Sequence, residues 1–376
     1  MIVIGAADRN VGKTEFACAL IRQYAPAMPV IAVKVTPVDA NDGLCPRGGK
    51  GCGVCSSLSG DFCLTEEILD GDSALSGKDT DRMLSAGASH VYWLRVLRSC
   101  MEKGVAELLS LIPEDACVVC ESNTVRTVIE PGAFIVLRKS GSAVIKKSCA
   151  AVIDKADRLV DFFGDKWNFN PERCAFLQGR WQVPMDLSAA ILTGGKSSRM
   201  GMDKALLTIG GKTMLEHIIF QVQPFFDFLC IGANDSEKYA FTGLPVIQDE
   251  EVDLGPLMGI LSCISASKTD KICIFACDVP NLPPSFIRDL CRASRGADMV
   301  LTVDARGRAE PFLSAYSKKL IPVIRKTLAE GSRRISDIFS GKNIEEFNLV
   351  VVKVSLEDAT WYKNINTKDE YREISG

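Results

Sequence analysis

The sequence predicts an α/β protein built from two doubly wound domains. Short apolar runs alternate with helical patterns along the chain, and this alternation is typical of parallel sheets covered by helices. Two of these runs, residues 1–5 and 187–192, are each followed by a glycine-rich turn that carries lysine and then by a helical pattern. The length of 376 residues also suits two domains, at about 100–200 residues each.

The predicted strands are the short apolar runs of each half. In the first half they lie at residues 1–5, 30–35, 117–120 and 133–137. In the second half they lie at residues 187–192, 228–231, 271–276, 299–303 and 349–354. The helices after the two glycine-rich turns are expected at about residues 15–24 and 214–222. Residues 164–186 contain Asn, Pro, Gly and Gln without clear periodicity, which predicts a linker between domains at 1–163 and 187–376.

The composition excludes several classes of protein. Hydrophobic residues make up 47% and charged residues 24%, and the net charge of −3 argues against a generic basic nucleic-acid binder. No stretch reaches the roughly 18 uncharged apolar residues of a membrane helix, and the first residues do not resemble a signal peptide. We therefore expect a cytoplasmic protein without nucleic-acid or membrane partners. With His90 and His217 as the two histidines, the chemistry must rest mostly on carboxylates, Lys, Arg, Cys and backbone amides, and we expect His217 to be a packing residue.

The fifteen cysteines are unlike a disulfide framework, because no secretory signal accompanies them. Most lie in apolar stretches, where a free thiol behaves as a small hydrophobic side chain. Four lie close together in an insertion at 45–63 that is rich in Gly and Ser, and their Cys-x2-Cys core suits zinc or an iron–sulfur cluster. The alternative is a group of free thiols in a loop. The four are Cys45, Cys52, Cys55 and Cys63.

The turn after the run at 187–192 has the composition of a phosphate-binding loop. Residues 192–204 read Leu-Thr-Gly-Gly-Lys-Ser-Ser-Arg-Met-Gly-Met-Asp-Lys, and the three glycines allow backbone amides to approach a phosphate chain closely. Lys196, Arg199 and Lys204 outnumber the single acid Asp203, and this local positive charge suits a triphosphate. The alternative is a solvated glycine turn.

Further motifs in the second half occur together with this loop. Asp249 ends an apolar segment, a Gly-Pro-Leu-Met-Gly turn lies at 255–259, and a Cys-Asp-Val-Pro motif at 277–280 follows an apolar run. With these motifs, residues 187–371 closely resemble the molybdenum cofactor guanylyltransferases, within the wider class of sugar-nucleotide-like nucleotidyltransferases. The resemblance implies a Rossmann-like nucleotidyltransferase domain that transfers GMP from GTP to molybdopterin, giving molybdopterin guanine dinucleotide and diphosphate.

The resemblance also implies roles for individual residues. Asp278 would hold Mg²⁺, a hard cation that prefers carboxylate and phosphate oxygens, and Lys204 and Arg199 would offset charge on the triphosphate. The attacking phosphate of molybdopterin is already an anion, so no general base is needed. The nucleotide would contact Leu192, Thr193, Gly194, Gly195, Lys204, Asn234, Asp249 and Asp278. The pterin side would be lined by Pro311, Asn364 and Asn366.

One position departs from the family pattern. The family usually has Asn-Ala-Asn after its third strand, whereas this chain has Gly232, Ala233 and Asn234. The contact of the first Asn would be missing or taken up by Asn234. The Leu-Thr-Gly-Gly turn favours GTP, since cytidylyl relatives carry an Ala-Ala-Gly type, and a molybdopterin cytidylyltransferase is the alternative. A second alternative is a GTP-dependent cofactor-binding carrier without transferase activity.

The first half opens with a turn that resembles a P-loop. Residues 7–14 match the P-loop spacing except that Ala7 replaces the first glycine, and the strand before them and the helix after them give the motif its context. Lys13 would bridge phosphates, while Thr14 and Glu121, the latter at the end of an apolar run, are candidate Mg²⁺ ligands. The nucleotide would be bound by Asn10, Val11, Gly12, Lys13 and Thr14.

Together with segments at 32–36 and 77–88, this motif makes residues 1–161 similar to the small GTP-binding adaptor of molybdopterin-guanine dinucleotide synthesis. Val35 stands where the adaptor usually has a His. A fusion of adaptor and transferase would be physically sensible, because covalent linkage raises the effective concentration of one site near the other. The combined resemblance implies GTP and molybdopterin as substrates, and molybdoenzyme apoproteins and other cofactor-biosynthesis proteins as partners.

Overall fold

Two seven-stranded sheets organise the protein. The computed structural model describes residues 1–38, 58, 60–68, 78–193, 203–279, 281–304, 306–339 and 347–353. The chain divides into two compact units, Met1–Val183 and Pro184–Gly376, and each unit contains one of the large sheets. The prediction of a mixed α/β protein with parallel sheets is confirmed. Within the described ranges, no helix is both long enough and apolar enough to span a membrane.

Strands and helices alternate in the first unit. Its helices are α1 (Lys13–Tyr24), α2 (Asp79–Ser85), α3 (Met101–Ser110) and α4 (Lys147–Ala150). Its strands are β1 (Ile2–Ala6), β2 (Val30–Val38), β3 (Phe62–Glu67), β4 (His90–Leu97), β5 (Cys117–Glu121), β6 (Ala133–Lys139), β7 (Arg158–Phe162), β8 (Ala175–Leu177) and β9 (Arg180–Gln182). The large sheet has the order β3-β4-β2-β5-β1-β6-β7, and β3 is antiparallel to β4 at one edge. β8 and β9 form a separate antiparallel pair.

Both faces of the first sheet are buried. Side chains alternate along a strand, so Ile2 and Ile4 of β1 lie in one hydrophobic cluster with Phe16 of α1, while Val3 lies in another with Val105 of α3. Helices therefore cover both faces of the sheet. This burial explains why the central strands read as continuous apolar runs instead of alternating patterns.

The segment expected as a linker at 164–186 lies mostly within the first unit, which ends at Val183. Phe169, Cys174 and Trp181 join the hydrophobic cluster that contains α1, and Trp181 is only 2% exposed. The Trp181 ring packs edge-on against Tyr24, with the ring centroids 5.2 Å apart. The aromatic residues of this segment are irregularly spaced, so periodicity did not reveal that they are buried.

The second unit has the same layered arrangement. Its helices are α5 (Met214–Val222), α6 (Pro256–Ala266), α7 (Pro284–Ser294) and α8 (Ile321–Ala329). Its strands are β10 (Met185–Leu192), β11 (Thr208–Ile209), β12 (Lys212–Thr213), β13 (Phe226–Gly232), β14 (Val246–Ile247), β15 (Lys271–Ala276), β16 (Met299–Val303), β17 (Ala309–Ser317) and β18 (Leu349–Lys353). The large sheet has the order β14-β13-β10-β15-β17-β16-β18. β17 is antiparallel to both of its neighbours, and β11 and β12 form a separate antiparallel pair.

The central strand of the second sheet is buried on both faces. Ala189 and Ile191 of β10 share a hydrophobic cluster with α5 and α7, and Ala190 belongs to the cluster that contains α6 and α8 residues. His217 of α5 is half-buried, and its Nε2 atom lies 2.7 Å from the carbonyl oxygen of Ile209 on β11. The packing role expected for His217 stays a prediction.

Candidate functional site

The loops after three neighbouring strands of the second unit begin at one edge of the sheet. β10 lies between β13 and β15, and Leu192 at its end is paired with Gly232 and Ala276. The next residues continue this contact, since the Thr193 amide donates to Gly232 (3.1 Å) and the Cys277 amide donates to Leu192 (3.2 Å). Because the strands are parallel here, their carboxyl ends form the ligand-binding edge of an α/β sheet.

Lys204 and Asp278 meet at this edge. The Lys204 Nζ atom lies 3.9 Å from Asp278 Oδ2, and the two side chains are 21% and 23% exposed. Burial raises the pKa of the Asp278 carboxyl above its ordinary value, and the Lys204 ammonium opposes that rise only in part. A cation next to a partly buried carboxylate stabilises its charged form. The structure thus brings together two of the three residues expected to act in catalysis.

A cavity of about 510 Å³ opens beside these loops. It lies between the ends of β10 and β13 on one side and the start of α6 on the other. The volume is within the range of small-molecule sites. Asp253 was not among the predicted site residues, whereas Phe312 belongs to the segment Glu310-Pro311-Phe312, which the resemblance places on the pterin side. The cavity is lined by Leu192, Gly232, Ala233, Asn234, Asp249, Asp253, Gly255, Pro256, Gly259 and Phe312.

Asn234 holds Asp249 at the cavity wall. The Asn234 Nδ2 atom donates to Asp249 Oδ2 (2.8 Å), and the Asp249 amide donates to Asn234 Oδ1 (2.9 Å). Asn234 is therefore committed to orienting Asp249. A Cβ atom at Gly232 would lie 2.4 Å from Leu192 Cδ2 and 2.9 Å from Cys263 Sγ, so a larger residue there would require these side chains to shift. The glycine that stands where the family usually has its first Asn therefore allows Leu192 to pack closely on the backbone.

Several predicted residues of this site lie outside the described part of the chain, namely Gly194, Gly195, Arg199, Asn364 and Asn366. Pro311 is described, and its carbonyl oxygen accepts a hydrogen bond from the Tyr316 hydroxyl (2.7 Å) on the same strand, β17.

In the first unit, the predicted P-loop connects the end of β1 to the start of α1. Asn10 and Gly12 adopt left-handed backbone conformations, with φ of 57° and 73°, and Gly12 caps α1. The first residues of this helix are Lys13 and Thr14, so the loop leads directly into a helix N-terminus, where free amide groups favour an anion. Trp167 covers the loop from one side, and its Nε1 atom donates to the Val11 carbonyl oxygen (3.1 Å).

Two carboxylates converge on Thr14. Its hydroxyl lies 2.8 Å from Glu121 Oε2 and 3.0 Å from Asp79 Oδ1. Lys13 pairs with the buried Glu121 at 3.2 Å, and Lys34 forms an ion pair with Asp79. Lys13, Thr14 and Glu121, which were predicted to serve one nucleotide site, lie close together, whereas Asp79 and Lys34 were not among the predicted site residues. Asp79 opens α2 within the segment 77–88, so its contact with Thr14 depends on tertiary packing.

The cysteine insertion is described only in part. Cys45, Cys52 and Cys55 lie outside the described residues, and Cys63 lies on β3, where Arg95 contacts its Sγ atom at 3.2 Å. Among the residues that are described, no group of three or more His, Cys, Asp and Glu side chains is arranged to hold a metal ion. The zinc or iron–sulfur site stays a prediction.

Known proteins resemble the second unit. Residues 189–345 match the MobA-like NTP transferase domain. The chain is 34% identical over 189 residues to a probable molybdenum cofactor guanylyltransferase from Carboxydothermus hydrogenoformans, covering 50% of this chain and 95% of that relative. It is also 34% identical over 195 residues to a molybdenum cofactor guanylyltransferase from Haemophilus influenzae, covering 50% of this chain and 98% of the relative. Molybdopterin-guanine dinucleotide biosynthesis protein A from Archaeoglobus fulgidus, a solved structure, aligns with a TM-score of 0.43 and 21% identity, covering 50% of this chain and 97% of that one.

Proposed function

The chain belongs to the molybdenum cofactor guanylyltransferase family through its MobA-like domain at 189–345, and we propose that its second unit transfers GMP from GTP to molybdopterin. The products are molybdopterin guanine dinucleotide and diphosphate. The observation that carries the proposal is the meeting of Lys204 and Asp278, 3.9 Å apart, at the carboxyl edge of the sheet. The cavity of about 510 Å³ beside the ends of β10 and β13 is lined by Leu192, Asn234 and Asp249, three of the expected nucleotide contacts, and not by Lys204 or Asp278, so it would receive the part of the nucleotide away from these two residues.

Asp278 is the residue that would hold Mg²⁺ in this site. A carboxylate is a hard oxygen ligand that suits this ion. Burial raises the pKa of Asp278 above its ordinary value, and a nearby cation would act in the opposite direction by stabilising the charged form. When bound, Mg²⁺ neutralises charge on the triphosphate and on the departing diphosphate.

The remaining residues would position the triphosphate. Lys204 would offset the charge that accumulates on the leaving oxygens, and Thr193 would supply a backbone contact at the start of the loop. Gly194, Gly195 and Arg199 complete the proposed phosphate site. The terminal phosphate of molybdopterin is an anion at neutral pH, so proximity and charge neutralisation suffice without a general base.

Asp249 supports GTP over CTP as the nucleotide. Its carboxylate is held at the cavity wall by Asn234 and carries acceptor oxygens alone. The pairing edge of guanine presents two adjacent N–H donors, whereas that of cytosine presents one donor next to an acceptor. A carboxylate can accept from both guanine donors at once, so the arrangement favours guanine.

Incubation of the full chain with GTP, Mg²⁺ and molybdopterin tests the proposal by mass spectrometry of the product. We expect the mass of molybdopterin to rise by the mass of GMP minus one water, with one diphosphate released per product. An equimolar mixture of GTP and CTP tests the nucleotide, and a predominantly cytidylyl product would establish the cytidylyl alternative. No product with either nucleotide would contradict a transferase and leave the carrier alternative.

A separate observation favours a second nucleotide site in the first unit. The P-loop residues Lys13 and Thr14 both contact Glu121, at 3.2 and 2.8 Å, at the N-terminus of α1. We infer that residues 10–14 bind the phosphates of GTP, with Thr14 and Glu121 available to Mg²⁺, as the resemblance to the GTP-binding adaptor implies. Loss of nucleotide binding on replacement of Lys13 would support this role.

A further inference from the structure

We propose that Tyr239 is a positioning residue that places Lys204 by orienting Asp203. The inference rests on the proposed function of the second unit, since it concerns the lysine that would contact GTP there. Tyr239 lies in the chain after β13, outside the motifs that carry the resemblance to the family.

The Tyr239 hydroxyl contacts the residue that precedes Lys204. It donates a hydrogen bond of 2.6 Å to Asp203 Oδ2. Tyr239 is 4% exposed and belongs to the hydrophobic cluster that contains residues of β10, α5 and α7, which gives the hydroxyl a rigid support.

Asp203 connects Tyr239 to the turn that begins at Lys204. Its Oδ1 atom accepts from the Ala205 amide (3.0 Å) and so caps the short helical turn Lys204–Leu206. Its Oδ2 atom accepts from Tyr239 and forms an ion pair with Lys238. With both oxygens of Asp203 engaged, the backbone that enters Lys204 has a fixed direction, and the ammonium lies 3.9 Å from Asp278.

A purely structural tyrosine would not need this partner. A buried tyrosine hydroxyl requires a hydrogen bond, and a nearby backbone carbonyl is sufficient. Tyr316 illustrates this in the same unit, since its hydroxyl donates to the carbonyl oxygen of Pro311. Tyr239 instead bonds the carboxylate that caps the turn beginning at Lys204. The hydroxyl therefore orients Asp203, in addition to the packing that the ring provides.

The test is Tyr239→Phe in the full chain, which keeps the ring and removes the hydroxyl. We expect kcat for GTP- and molybdopterin-dependent diphosphate release to fall about tenfold, while KM for GTP changes less than threefold. Lys204 would offset more charge in the transition state than in the bound substrate, so its misplacement lowers kcat most. The same substitution in a Lys204→Ala background should have less than a twofold further effect, because Tyr239 acts through Lys204.

Thr302→Val is the matched control, since it removes another buried hydroxyl of this unit, one that donates to the Leu313 carbonyl oxygen on the neighbouring strand. It should leave kcat within twofold of wild type.

If Tyr239→Phe fails to fold, Asp203→Asn retains the tyrosine ring and should lower kcat similarly. Wild-type kcat in Tyr239→Phe, or independent multiplicative losses with Lys204→Ala, would overturn the inference. A wild-type chain that releases no diphosphate would instead refute the proposed function.

Discussion

The Asp278 carboxyl is subject to two opposing influences. Burial raises its pKa, and the Lys204 ammonium, 3.9 Å away, lowers it in part, so the pKa remains above the ordinary value. A cation added beside Asp278 would stabilise its charged form further, and the carboxylate oxygens are ligands that suit Mg²⁺.

Asp278→Ala should abolish the Mg²⁺-dependent release of diphosphate from GTP while the fold remains intact. Removing one electrostatic contributor to a transition state typically lowers kcat by about 10²–10³. The measurement is diphosphate release with molybdopterin over a range of Mg²⁺ concentrations. Asp289→Ala is the control, because Asp289 is 65% exposed on α7 and pairs with Arg292 of the same helix. Full activity in Asp278→Ala would remove Asp278 from the mechanism.

Asp203 should make the stability of the chain depend on pH. Burial acts to raise its pKa, but hydrogen bonds from Lys238, Tyr239 and the Ala205 amide outweigh burial, and the folded-state pKa lies below the ordinary value. Ionised Asp203 therefore stabilises the folded chain above the unfolded-state pKa of about 3.9. This stabilisation is lost as the pH falls through the lowered folded-state pKa.

Asp203→Asn should consequently lower the free energy of unfolding at pH 7, and its difference from wild type should shrink below about pH 4. Urea unfolding between pH 3 and pH 8 measures this difference. Asp186→Asn, which changes an exposed carboxyl on β10, should show a smaller and flatter difference. A difference for Asp203→Asn that stays constant with pH would contradict the assigned hydrogen bonds.

At the scale of strands, helices and loops, the sequence was most informative where strands are buried on both faces. Continuous apolar runs predicted β10 and β15. The carboxyl ends of parallel strands share one edge of a sheet, so the sequence placed Asp278, which follows β15, near the loop that follows β10. β17 was not predicted, because Glu310 and Pro311 interrupt its apolar pattern near its start. The contact of Asp79 with Thr14 depends on packing between α2 and α1, for which periodicity has no signal.

The loop before α1 provides a test at this scale. Gly12 has φ of 73°, and a Cβ atom there would lie 2.8 Å from Trp167 Cζ2. Gly141 has nearly the same φ, 71°, but nothing within 4 Å of its added Cβ. Alanine at either position would cost roughly 1–2 kcal/mol for the left-handed backbone, and overlap with Trp167 would add about 1–3 kcal/mol.

Gly12→Ala should therefore lower the free energy of unfolding by about 1–3 kcal/mol more than Gly141→Ala does. Urea unfolding of the two variants and wild type measures the difference. Equal losses for the two variants would mean that Trp167 does not hold the loop as closely as its contacts with Gly12 and Val11 indicate.

At the scale of the whole molecule, the alternation of apolar runs and helical patterns was sufficient to predict two α/β units, because each unit must bury its own sheet on both faces. The position of the division was harder to predict. Residues 164–183 contain polar and turn-forming residues typical of a linker, yet Phe169 and Trp181 bury against the first unit. A few large aromatic side chains thus outweighed the polar composition of the segment.

The two proposed sites predict that one chain binds two molecules of GTP. Equilibrium dialysis of the full chain with Mg²⁺ and a slowly hydrolysed GTP analogue should give a stoichiometry of two. Lys13→Met should reduce it to one, because Lys13 would bridge phosphates at the N-terminus of α1.

Lys103→Met is the control, since Lys103 is a 68% exposed lysine of α3 that pairs with Asp61. It should leave the stoichiometry at two. A stoichiometry of one in both wild type and Lys13→Met would show that the first unit does not bind GTP, since the proposed transferase site alone would then account for the bound nucleotide.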